Sequence, residues 1–140
     1  MFNPTREQVR DFFFDAWQKF SGRAPLTALE AMALEIMTEH AEYHALLSQR
    51  DQYVDRDYQP ENGDINPFLH MSMHLSIREQ ISIDQPVGVR AAHQRLTTSL
   101  GGVMAAEHVM MDCLGEMIWQ AQRHRTAPDP TLYLSCLAKK

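Results

Sequence analysis

Runs of basic residues are missing from this chain: 13 Lys and Arg are scattered among 18 Asp and Glu, for a net charge of −5. Such a balance argues against a nucleic-acid interface or an anionic membrane surface. Long apolar runs are missing too. No stretch approaches the roughly 18 residues a membrane-spanning helix needs. The opening MFNPTREQVRDFFF reads as a turn and a charged helix, not as a basic region followed by an apolar export segment. Cysteine is scarce, and Cys113 and Cys136 make neither a disulfide framework nor a thiolate metal motif. Reduced thiols and a cytoplasmic location are therefore expected. Strand signals are nearly absent, and there is no internal repeat or low-complexity tract.

Helix signals fill the space these absences leave. At 140 residues and 44% hydrophobic, the chain is long enough to bury a core. It is expected to form one all-α domain over residues 1–140, a bundle of five to six helices with an up-and-down core. The capping-box pattern Thr5 to Gln8 predicts a helix over about 5–20, with Val9, Phe13, Ala16, Trp17 and Phe20 inward. A second capping box, Thr27 to Glu30, predicts a helix over about 27–49. A long polar loop over 50–65 then separates helices two and three, and loops of that length are often functional. Asn66-Pro67 opens a third helix over about 66–83. Further helices are expected over about 86–100, 103–124 and 130–138, divided by Gly101-Gly102 and by the TAPDP turn. Phe12, Phe13, Phe14 and Trp17 cover more than one side of helix one, so Phe12 or Phe14 marks a packing surface for another helix or a second copy of the chain.

Six metal-ligand side chains recur as three pairs spaced by four residues: His40 and His44, His70 and His74, His108 and Asp112. At 3.6 residues per turn, each pair projects from one side of its helix. Each pair also lies among the apolar residues expected to face the core, so the imidazoles converge inside the bundle. A lone histidine on an apolar face is more often a core residue with an ordinary partner, and His93 belongs in that class; His124 reads as a solvated residue near a helix end. Several clustered imidazoles are costly to desolvate, and a divalent cation removes that cost.

Asp112, one turn from His108, is the best carboxylate ligand. Glu116, a turn further, is a ligand, a bridge or a general base. Glu107 is placed as an outer partner for an imidazole N–H. Tyr43, between His40 and His44, is the second catalytic candidate beside Glu116, through a hydrogen bond to a metal-bound oxygen species. The methionines are expected to fill core space, and Cys113 to point away from the site. A divalent transition metal is expected, iron first, with zinc or nickel as alternatives.

The strings EHAEYH, INPFLHMSMHLSIREQ and AEHVMMDCLGEMIWQAQR resemble a small bacterial family known as a domain of unknown function, DUF eighteen-forty-one. The resemblance spans nearly the whole chain and carries no activity with it. A looser similarity is to the ligand set of haemerythrin-like proteins, which implies a non-haem di-iron centre for O₂ or related small molecules. That family spreads a lone His, HxxxE, HxxxH and HxxxxD over four helices, whereas this chain has HxxxH, HxxxH and HxxxD on three. DinB-like bundles, with one three-histidine site, are a comparable analogue.

Three functions follow as expectations. The first is a His/carboxylate non-haem iron centre, di-iron in one form, for binding, sensing or redox chemistry of O₂, peroxide or NO. The second is a mononuclear Zn or Ni hydrolase or transferase, with Glu116 as base. The third is a metal-free interaction module.

Overall fold

Each predicted capping signal closes a real helix end. In the computed structural model, which describes residues 5–59, 63 and 65–140, Thr5 and Thr27 both form reciprocal capping boxes. Their hydroxyls accept from Gln8 N and Glu30 N, while the Gln8 and Glu30 side chains reach back to the cap N–H groups. These open α1 (Arg6–Ser21) and α2 (Ala28–Thr38). Two single-turn helices follow, α3 (His44–Leu47) and α4 (Arg50–Tyr53). Asn66 Oδ1 accepts from Phe68 N and Leu69 N to start α5 (Pro67–Ile83). Then come α6 (Val89–Leu100), α7 (Val103–His124) and α8 (Pro130–Ala138), the last opened by Asp129. No strand occurs among the described residues: the fold is all-α, with six helices longer than two turns.

Two boundaries differ from expectation. Helix two stops at Thr38 rather than running to 49, and a single 3-10 turn, Ala41–Tyr43, follows it. The expected 50–65 loop contains α4, and its residues 60–62 and 64 lie outside the described residues, as does the predicted N-terminal turn over residues 1–4.

The chain forms two compact units, residues 1–75 and 76–140, divided within α5. In the first, α1 packs on α2, and the core holds Phe13, Phe14, Ile36, Met37, Phe68 and Met71. Phe14 is an inward residue, its ring 5.4 Å from that of Phe68, while the expected core residue Phe20 is exposed. Arg10 is buried against this core. Its Nη1 donates to the carbonyls of Val54 (3.0 Å) and Arg56 (2.7 Å), and its guanidinium lies over the Phe68 ring at 4.7 Å. Pairing a buried cation with carbonyls and a π face meets the cost of desolvating it. The same bonds tie the segment after α4 to α1.

In the second unit α6, α7 and α8 pack on one another. The turn from α6 to α7 uses Gly101 at φ 84°, a left-handed position that favours glycine. The buried stripe of α7 is Ala106, Glu107, Met110, Met111, Cys113, Leu114 and Ala121. This corrects the expectation that the His108/Asp112 pair faces inward: both residues are exposed. The i, i+4 spacing of His108 and Asp112 fixes one stripe, whereas packing against α6 and α8 selects its neighbour.

The expectation of reduced thiols is also corrected, because Cys113 and Cys136 form a disulfide joining α7 to α8. Several polar side chains pair within this unit. Arg78 Nε donates to both oxygens of Glu107 (3.1 and 3.2 Å), Tyr133 Oη donates to Gln80 Oε1 (2.9 Å), and Arg95 Nη2 donates to the Leu137 carbonyl (2.7 Å).

Candidate metal centre

The break after Thr38 builds the site. A helix end leaves its last carbonyls without intrahelical donors, and here side chains just downstream supply them. His40 Nδ1 donates to Ile36 O (2.7 Å) and His44 Nε2 to Met37 O (2.8 Å), while Thr38 Oγ1, still within α2, bonds back to Leu34 O (2.8 Å). His40 has left the helix, at φ −116° and ψ 71°. The two histidines therefore share no helical face and go separate ways. His44 turns to α1, where its ring lies 4.7 Å from that of Trp17. His40 turns to α5.

There it meets His70 and His74, which do occupy one face of a regular helix. His40 and His74 are buried and His70 is half-buried. The His70 Nε2 atom lies 3.2 Å from His40 Nε2 and 3.2 Å from His74 Nε2. The rings are splayed rather than stacked, at interplanar angles of 77°, 61° and 76°, so their Nε2 edges converge.

A carbonyl only accepts, so the bond to Ile36 O places the His40 proton on Nδ1 and turns the Nε2 lone pair toward His70. One proton on His70 Nε2 serves one of its two close nitrogen neighbours well and leaves the other contact electrostatically poor. A cation at the centre satisfies all three lone pairs. Tetrahedral coordination with metal–nitrogen bonds of about 2.0–2.1 Å puts donor atoms about 3.3 Å apart. The observed 3.2 Å spacing fits that geometry, so this group can hold a metal ion.

Tyr43 forms a wall of the site. Its ring is parallel to that of His40 (interplanar angle 2°, centroids 5.4 Å apart) and edge-on to His70 at 6.3 Å. Burial pushes the Tyr43 hydroxyl above its ordinary pKa, with Glu42 adding to the effect, so it stays a neutral phenol at physiological pH.

The remaining predicted ligands sit on α7 in the second unit. His108, Asp112 and Glu116 are all exposed, and Glu116 accepts a hydrogen bond from Gln120. Glu107, expected as an outer partner, is buried and bonded to Arg78; His93 Nε2 lies 3.8 Å from it, too far for a hydrogen bond. Sequence reasoning missed the Ile36 carbonyl as the group that sets the His40 tautomer. No side-chain signal marks a backbone acceptor, although a histidine four residues after a buried isoleucine at a helix end is compatible with one.

The described residues define an all-α chain with a histidine cluster that could hold a metal ion. A family model for a domain of unknown function, DUF1841, matches residues 5–139, and the chain belongs to that family. No curated protein and no solved structure matches it. No helix among the described residues is long and apolar enough to cross a membrane.

Proposed function

We propose that this protein binds one divalent transition metal through Nε2 of His40, His70 and His74 and uses it as a Lewis acid toward water. The observation that carries the proposal is the pair of 3.2 Å Nε2···Nε2 separations around His70. Three neutral imidazoles suit zinc, nickel or ferrous iron. A mononuclear ion needs no carboxylate bridge, so we adopt that reading over a di-iron centre for O₂, peroxide or NO. Held by these three imidazoles, the metal would supply Lewis acidity, the basis of hydrolytic or transfer chemistry.

The test is metal analysis of untagged protein purified without added metal, followed by Co(II) and Zn(II) titration. About one metal per chain is expected, with loss of stoichiometric binding in His74→Ala. Two irons per chain with a visible charge-transfer band would replace the mononuclear proposal by the di-iron one. A chain that takes up neither ion would overturn both.

A further inference from the structure

We propose that Tyr43 is the positioning residue of this centre: its ring sets the plane of His40 so that Nε2 faces the other two imidazoles. The inference rests on the metal reading above and concerns how the site is held at the spacing of a small tetrahedral ion.

The three histidines are not held alike. His70 and His74 ride on α5, a regular helix of 17 residues, where backbone and rotamer limits fix most of their direction. His40 precedes a single 3-10 turn, so its backbone restrains it less. Two of its contacts bear on the plane of the ring. At one edge of the ring, Nδ1 is bonded to Ile36 O at 2.7 Å. That bond alone leaves the ring able to swing about the Nδ1···O axis, carrying Nε2 away from His70. The Tyr43 ring, parallel to within 2° at 5.4 Å between centroids, blocks that swing. Tyr43 belongs to the same 3-10 turn, so the turn supplies both the ligand's departure from the helix and the surface that orients it. The same tyrosine lies edge-on to His70 at 6.3 Å and so spans two of the three ligands.

A site clamped in this way favours ions whose donor atoms sit about 3.3 Å apart. Loosening His40 should weaken tetrahedral ions and distort their coordination without removing a ligand. The part that matters is the ring face and not the hydroxyl.

The test uses Co(II), whose visible ligand-field bands report geometry, on the full chain. Tyr43→Phe should match the wild type in affinity and spectrum. Tyr43→Leu should bind Co(II) about tenfold more weakly, at the low end of the cost of removing a group that orients a metal-bound imidazole, with bands weakened and shifted. If Tyr43→Leu fails to fold, Tyr43→Met, flexible and apolar, replaces it. Wild-type affinity and bands in the Leu or Met variant overturn the positioning role while leaving the metal proposal intact. An equal loss in Tyr43→Phe assigns the role to the hydroxyl and overturns the ring argument. Failure of the wild type to bind Co(II) overturns the metal proposal itself, and this inference with it.

Discussion

His93 carries a cost that its neighbours do not. Its Nε2 is buried with no hydrogen-bond partner among the described residues, and the nearest carboxylate, Glu107, is 3.8 Å away and already shared with Arg78. Burial holds its pKa below the ordinary 6.5, and the attraction of Glu107 opposes this only in part. The linkage follows from the direction of that shift. An unfolded chain takes up the His93 proton as pH falls through 6.5, whereas the folded chain resists until a lower pH. His93 therefore contributes its full share to stability above 6.5, and that share is lost as pH falls through the folded pKa. Melting temperatures at about pH 7.5 and pH 5.5 should show a smaller acid loss for His93→Leu than for the wild type. Equal losses would show that His93 titrates alike in both states.

At the scale of elements, the informative feature is where α2 ends. Periodicity carries an apolar stripe from Leu29 through His44 without a glycine or proline to interrupt it, so the sequence predicts one helix over 27–49. Past Thr38 the Ile36 and Met37 carbonyls accept from the His40 and His44 side chains, and such capping leaves only a weak trace in sequence. The i, i+4 argument therefore holds for His70 and His74, which lie on a real helix, and fails for His40 and His44. His40 reaches the site by leaving the helix. His44 acts on structure, through Met37 O and Trp17. His44→Ala should lower stability by about 1–2 kcal/mol, from a lost hydrogen bond and a lost ring contact. It should leave metal stoichiometry unchanged. Loss of the metal in that variant, at a temperature where it remains folded, would return His44 to the ligand set.

For the molecule as a whole, class and helix starts were legible because caps are local: Thr5, Thr27, Asn66 and Asp129 each act within three residues. The phase of α7 was not legible. Asp112 looks like a core residue only if its stripe is assumed to face inward, and the choice between adjacent stripes is made by α6 and α8. Cys113 and Cys136 escaped for the same reason. Two cysteines separated by 23 residues carry no pairing signal until the return of α8 brings them together. Replacing both by alanine should cost about 3 kcal/mol in the chain-entropy picture for a loop of that size, measured by denaturant unfolding with and without reductant. A difference near zero would mean that buried Tyr133 and Leu137 suffice to hold α8.

That cross-link changes what damage to the chain means. Residues 125–129, between α7 and α8, are exposed and follow a left-handed Arg125, as a protease-accessible turn would be. A cut there severs the polypeptide without dividing the protein: the C-terminal fragment stays covalently attached through Cys136, with Tyr133 and Leu137 still seated, until a reductant lets it go.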